Sequence, residues 1–246
     1  MKYRILIICC LLIQVTPSYS HAQQRVPILV YHSIAQFPGH GLKELYVTPE
    51  NFEKQMNYLK NNGFTLLTFE QWKDINKVQK PILITVDDGY KNNLTVYDVF
   101  KKIQTGSFRP SEPFFIISDF IGRPNRLSNS DLKILAESGM ISIQSHTATH
   151  PDLTKANRFI EELKDSKNKI EQITGKPVIA LSYPFGNFNS QVIAETKKYY
   201  LFGLTTTPGP YIKTDFKDEQ YLLPRTYIKY STTLQDFMKI VNSNVK

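Results

Sequence analysis

The chain has 246 residues, 41% of them hydrophobic, enough for one sizeable core and not for two. Its net charge of +8 is spread over scattered lysines without an arginine-rich block, which argues against nucleic-acid binding and for affinity to anionic envelope surfaces. Both cysteines, Cys9 and Cys10, fall in an apolar leader, so a chain processed beyond them has no thiolate nucleophile, disulfide or cysteine-ligated zinc.

That leader comes first. Lys2 and Arg4 precede an apolar run over residues 5–15, and Ser20-His21-Ala22 offers small residues for cleavage. The pattern predicts a secretory signal peptide over residues 1–22, followed by a single domain over 23–246 and a secreted, extracellular or cell-wall-associated product. The run is shorter than the roughly 20 residues that span a bilayer. An uncleaved anchor is the alternative, and a lipid-modified cysteine is disfavoured by Ile7 and Ile8 beside it. No repeat or Gly/Ser linker divides the chain, which is expected to act as a monomer.

Beyond the leader, strands and helices alternate. Residues 26–31 read as a buried strand. Thr48 caps a helix with Pro49 at its first position, Phe52, Met56 and Leu59 form its core face, and Gly63 closes it. A strand over 64–68 and a helix over 69–78 follow. Residues 81–86 are apolar throughout, as expected of an interior strand. Next come a helix over 94–103, a strand over 113–117, a helix over 128–138 closed by Gly139, and a strand over 140–144. Residues 157–174 form an amphipathic helix with Ile160, Leu163, Ile170 and Ile173 inward. Strands over 177–182 and 203–206 and a helix over 233–241 complete the chain. The alternation implies a parallel sheet with outer helices, rolled into a barrel whose chemistry lies at the carboxyl ends of its strands. His32, Asp87, Asp88, His146 and Tyr183 each fall just past such an end.

Thr85-Val86-Asp87-Asp88-Gly89 and His146-Thr147-Ala148-Thr149-His150 carry the chemistry. Two imidazoles and one carboxylate can hold a divalent metal while the second carboxylate takes a proton from the attacking water. Asp-Gly alone is an ordinary turn pair, and one histidine alone is more often structural. Together they indicate a metal site. Pro151 disfavours a helix at His150, so the histidine pair belongs on a loop at a strand end.

These motifs, with Val30-Tyr31-His32-Ser33, resemble the polysaccharide deacetylases of carbohydrate esterase family 4, the NodB-homology fold. The amino-terminal signature is similar to that of the branch that de-N-acetylates poly-β-1,6-N-acetyl-D-glucosamine in biofilm formation. The resemblance implies a deformed (β/α) barrel in which Asp88, His146 and His150 hold one metal, zinc first, with cobalt and nickel also suited. Asp87 would be the general base and His32 the general acid. The late region, Leu222-Leu223-Pro224-Arg225, has no histidine that could serve as acid.

The third motif departs from the family pattern. Leu181-Ser182-Tyr183-Pro184-Phe185-Gly186 lacks the usual arginine, and Arg225 is the candidate to orient Asp87 in its place, with a structural arginine as the alternative. The backbone N–H of Tyr183 is a candidate for the oxyanion, and Tyr90, Tyr183 and Phe185 are candidates to stack on sugar rings. Leu42 and Leu45, in the loop 37–46, either meet wall or lipid or fold inward. The expected partner is an N-acetylglucosamine polymer. Peptidoglycan or chitin-type polymers are the alternative substrates. A non-haem iron oxygenase and a non-catalytic sugar-binding module are the remaining readings.

Overall fold

Eight parallel strands make the main sheet of the computed structural model, which describes residues 25–242; the leader and its cleavage site lie outside the described residues. In chain order they are β1 (Ile28–Tyr31), β2 (Thr65–Leu66), β3 (Pro81–Val86), β4 (Glu112–Ile116), β5 (Ile141–Ser145), β6 (Ala180–Ser182), β7 (Phe202–Leu204) and β8 (Thr226–Tyr227). The spatial order is β7-β6-β5-β4-β3-β1-β8, with β2 also paired to β3. β3 is central and buried on both faces, which is why it reads as an unbroken apolar run.

Helices α1 (Pro49–Asn61), α2 (Leu94–Ile103), α3 (Asn129–Glu137), α4 (Phe159–Thr174), α5 (Ser190–Tyr199) and α6 (Leu234–Asn242) accompany the sheet, with two short two-stranded pairings, Arg25–Val26 with Tyr211–Ile212 and Ser33–Ile34 with Tyr46–Val47. The helix starts follow from capping. The Thr48 hydroxyl accepts from Asn51 N–H at 3.2 Å with Pro49 in the first turn, and Ser128 and Asp131 form a reciprocal capping box. Strand alternation then divides the core into two layers. Leu29, Tyr31, Ile84 and Phe114 pack in one cluster with Phe52, Val96 and Leu163 from the helices. Val26, Ile28, Leu83 and Phe115 pack in the other with Phe69, Trp72 and Phe202.

The sheet curls until its edges nearly meet, and residues 223–227 join them. Leu223 bridges to Leu204 on the β7 edge, and Thr226 and Tyr227 pair with Leu29 and Val30 on the β1 edge. The curled parallel sheet with helices matches the predicted barrel class.

Several local readings were corrected, among them the strand over 26–31, which is split into Arg25–Val26 and Ile28–Tyr31, and that over 177–182, which begins only at Ala180. The strand over 64–68 is only Thr65–Leu66. The helix over 69–78 is a 3-10 segment, Phe69–Asp74, because Phe69 and Trp72, three apart, both enter the inner core. Ile160 is 44% exposed, since the inward face of α4 runs through Leu163 and Ile170 instead. Helix α5 was not anticipated, although Asn189 caps it through a 2.9 Å bond from Val192 N–H.

Candidate active site

β3 ends at Val86 and delivers two adjacent carboxylates into different surroundings. Asp87 N–H still bonds Tyr31 C=O at 3.0 Å, which keeps Asp87 in register with the sheet and 2% exposed. Asp88 takes a left-handed backbone, φ 74°, and its carboxylate is the more open of the two.

Arg225 arrives from the segment that joins the sheet edges and is fully buried. Its Nη1 donates to Asp87 Oδ1 at 2.8 Å and its Nη2 to Oδ2 at 2.9 Å, a two-pronged grip. The guanidinium is held in turn by Thr205 C=O at 3.0 Å, Thr85 Oγ1 at 3.2 Å and Ser182 Oγ at 2.7 Å. Ser182 Oγ also donates to Asp87 Oδ2 at 3.0 Å. Burial is the largest single influence on Asp87 and pushes its pKa up. The Arg225 charge, then His146, then the Arg225 hydrogen bonds outweigh it and hold the carboxyl well below the usual range. The candidate substitute for the missing third-motif arginine is therefore in contact with Asp87.

His146 follows β5 and is 3% exposed. Its Nδ1 lies 2.8 Å from Ser182 C=O, a contact that requires a proton on Nδ1 and leaves the Nε2 lone pair free. That Nε2 lies 3.6 Å from Asp88 Oδ1 and 3.7 Å from Asp87 Oδ2. Burial pushes the His146 pKa down to about 4, against the opposing pull of Asp87 and Asp88, so the ring is neutral at physiological pH. His150 sits on a loop, φ 66°, its Nε2 3.9 Å from Asp88 Oδ1 and its ring centroid 4.6 Å from that of His146. One ligand atom from each of Asp88, His146 and His150 lies within 4.8 Å of the other two. Two imidazoles and one carboxylate, one imidazole locked in the tautomer that presents a lone pair, fit a divalent metal.

His32 follows β1 and is 7% exposed. Its ring stacks on Tyr227, centroids 5.1 Å apart and planes 16° apart, with Nε2 3.2 Å from the Tyr227 hydroxyl. Its buried Nδ1 has no hydrogen-bond partner. Burial lowers its pKa, partly offset by Asp87 and Asp88. Tyr227 has no sequence signal of its own; only its place after Arg225 in the joining segment brings it here.

His32, Asp87, Asp88, His146, His150 and Arg225 all line one cavity of about 180 Å³, walled also by Leu42, Leu45, Tyr183, Phe185 and Tyr227. Leu42 is 73% exposed at the mouth of this cavity, so the apolar loop both meets solvent and walls the site.

Tyr183 does not match its expected role. Its N–H donates to Leu204 C=O at 3.0 Å, within the sheet, and is closed to an oxyanion. Its ring is buried in the core and cannot stack on a sugar. Phe185 is 63% exposed, with its ring 4.7 Å from that of His150. It holds φ 60°, and the following Gly186, φ 75°, has no room for a Cβ against Thr206. The turn hydrogen bonds are made by Gly186 and Asn187 N–H, and that of Phe185 is left without a partner among the described residues. Tyr90 lines a neighbouring cavity, not this one. Among the described residues, four of the seven non-glycine residues with positive φ are Asp88, Thr147, His150 and Phe185, a concentration of backbone strain at the site.

Comparison with known proteins agrees with the motif reading. Residues 74–202 match the family model described as polysaccharide deacetylase. YxkH of Bacillus subtilis, a polysaccharide deacetylase by its name alone, is 34% identical over 194 residues, 75% of this chain and 66% of its own length. The B. subtilis peptidoglycan-N-acetylmuramic acid deacetylase PdaA is 34% identical over 128 residues, 50% of this chain and 45% of its own. The poly-beta-1,6-N-acetyl-D-glucosamine N-deacetylase of Staphylococcus epidermidis is 28% identical over 180 residues, 64% of this chain and 60% of its own. The chain thus spans less than two thirds of the length of these relatives. Among solved structures, the polysaccharide deacetylase BC0361 of Bacillus cereus superposes with a TM-score of 0.87 at 48% identity, covering 89% of this chain and 69% of its own.

Proposed function

The chain belongs to the polysaccharide deacetylase family, and from that premise we propose that it hydrolyses the acetamide of N-acetylglucosamine units in a polymer, with poly-β-1,6-N-acetyl-D-glucosamine as substrate. The observation that carries this reading is the convergence of Asp87, Asp88, His146, His150 and His32 on one small cavity. Asp88, His146 and His150 would hold the metal, zinc first. An ion held by these three residues would supply polarisation of the acetyl carbonyl and a water of pKa lowered toward about 7.

Asp87, ionised throughout the working range and fixed through both oxygens, takes the proton of the attacking water. The partnerless N–H of Phe185 is the donor available for the charge that develops on the acetyl oxygen. His32, in the wall of the same cavity, delivers a proton to the amide nitrogen, which leaves poorly without one. The carbonyl-to-nitrogen bond breaks, and acetate and a sugar amine, cationic at neutral pH, are released.

The choice of polymer rests on His32 after the first strand and on the similarity to the S. epidermidis enzyme. A second reading, peptidoglycan, is favoured by the higher identity to PdaA. Acetate release from poly-β-1,6-N-acetyl-D-glucosamine, peptidoglycan and chitin oligomers, with and without chelator, tests both. Chelator-sensitive release highest on the first polymer supports the reading. Preference for peptidoglycan overturns the substrate, and no release from any overturns the enzyme. Export and cell-wall association follow from the leader; fractionation should recover a chain starting near residue 23 outside the cell, and an intact cytoplasmic chain would refute it.

A further inference from the structure

The loop that carries the two histidines is held in a strained shape. Thr147 and His150 both have left-handed backbones, φ 67° and φ 66°. Such a backbone is unfavourable, most of all for a β-branched residue like Thr147, and persists only where the surroundings fix it.

Its peptide groups show what fixes it. Thr147 N–H donates to Ser145 Oγ at 3.2 Å and His150 N–H to Thr147 Oγ1 at 3.0 Å, both local bonds. In the turn after β4, Ser118 N–H donates to Thr147 C=O at 3.1 Å and Asp119 N–H to Ala148 C=O at 2.9 Å. The two remaining N–H groups go to a single residue in the first turn of α4. Ala148 N–H donates to Glu162 C=O at 3.1 Å, and Thr149 N–H to Glu162 Oε2 at 2.7 Å. Thr149 Oγ1 donates to Glu162 Oε1 at 2.6 Å, so both carboxylate oxygens are used. Bonds to a carboxylate are charge-assisted and stronger than neutral ones. Among the described residues, Glu162 supplies the one side chain from a separate element that hydrogen-bonds residues 147–150. It is not one of the three residues that could hold the ion.

The shape matters because it sets the ligand geometry. With the loop so held, the His146 and His150 rings lie 4.6 Å apart, each with Nε2 near Asp88 Oδ1. A loop free to relax would have to be ordered when the ion binds, at the expense of affinity. We propose that Glu162 is a positioning residue for the metal site: through Thr149 it holds the His146–His150 loop in its ligating shape before the ion arrives, and so sets metal affinity. This rests on the reading of Asp88, His146 and His150 as metal ligands.

The test is zinc affinity of the protein, measured by competition with a chelating dye, with the melting temperature of the metal-free form alongside. Glu162→Ala should weaken zinc binding roughly 10–100-fold, the usual effect of removing a group that orients a metal-binding side chain. Glu162→Gln should stay within about threefold of wild type, because its amide oxygen still accepts from Thr149 N–H and its NH2 can donate to Thr149 Oγ1. Glu161→Ala removes the same charge from the same turn, but Glu161 bonds Arg158 Nε at 3.1 Å and not the loop, so zinc affinity should be unchanged. Thr149→Val, at an exposed position, cuts only the hydroxyl arm and should lose about fivefold, the size of one net hydrogen bond; it decides the matter if Glu162→Ala melts too low to assay. Unchanged affinity in Glu162→Ala and Thr149→Val, or an equal loss in Glu162→Gln or Glu161→Ala, overturns the positioning role and leaves the metal site standing. A wild type that binds no zinc overturns the metal site itself, and the positioning role with it.

Discussion

Replacing Arg225 by methionine tests the base-clamping arrangement most severely. The substitution keeps a long side chain but removes both bonds to Asp87, at 2.8 and 2.9 Å, and those to Thr205, Thr85 and Ser182. Both partners are buried, so Asp87 is left as an uncompensated charge in a dry site. Removing one member of such a pair costs about 3–5 kcal/mol, against a total stability of roughly 5–15 kcal/mol. At about 2–4 °C per kcal/mol for a domain of this size, the melting temperature should fall by roughly 6–20 °C near pH 7. The pH dependence has a definite sign. The depressed pKa of Asp87 contributes stability that is present above the unfolded carboxylate value, about 3.9, and is lost only as pH falls through the lower native value. In Arg225→Met burial acts unopposed by the guanidinium, the Asp87 pKa rises, and the stability gap to wild type should narrow as pH drops toward 4. Adding Asp87→Asn should recover about 2–3 kcal/mol, because the amide carries no charge to strand. The kcat of the single variant should fall roughly 100-fold from misplacement of the base, with a new acidic limb in its pH profile. Unchanged melting at pH 7, or a gap independent of pH, would refute the reasoning.

Three further outcomes are expected. Asp87→Asn should retain one equivalent of zinc by atomic emission while turnover falls at least about 10²-fold, whereas His146→Ala should lose the metal; equal metal content in both would contradict the division of labour. His32→Ala should lose about 10²-fold or more on acetamides and little on an activated acetyl ester, whose leaving group needs no proton, so parallel losses would remove His32 from the acid role. Glu112, fully buried with both carboxyl oxygens unpartnered, has its pKa raised by burial. The native state then holds a proton that the unfolded state releases above about pH 4.3, so this group lowers stability by about 1.4 kcal/mol per pH unit from there up to its native pKa. Glu112→Gln should therefore match wild type near pH 4 and exceed it in melting temperature at pH 8, and the reverse order would refute the assignment.

What was legible in the sequence, and what was not, divides along physical lines. The interior strand at Pro81–Val86 announces itself because burial on both faces demands an unbroken apolar run, and Thr48 and Ser128 announce helices because their hydroxyls cap them. The ligand set was legible as chemistry, since two of the chain's five histidines, His146 and His150, and the carboxylate of Asp88 fall at strand ends. The left-handed backbone at Thr147 and Phe185 was not, because neither residue type favours it and the surrounding fold imposes it, whereas Asp88 and His150 belong to types that adopt it more readily. Tyr183 misled for a related reason. Whether its N–H is free depends on β7, whose Leu204 C=O accepts a hydrogen bond from it.

The joining segment is where local and long-range reasoning part most clearly. Arg225 and Asp87 are 138 residues apart, and nothing near either predicts their meeting. The contact is fixed by the pairing on either side of it. Leu223 is bound to the β7 edge through Leu204, and Thr226 and Tyr227 to the β1 edge through Leu29 and Val30, so Arg225 has only the space between the two edges to occupy. The same pairing sets Tyr227 against His32. One short stretch thus closes the sheet, grips the proposed base and braces the proposed acid. A lesion that loosens this closure should disturb both proton-transfer groups together, even where no residue of the cavity has been changed.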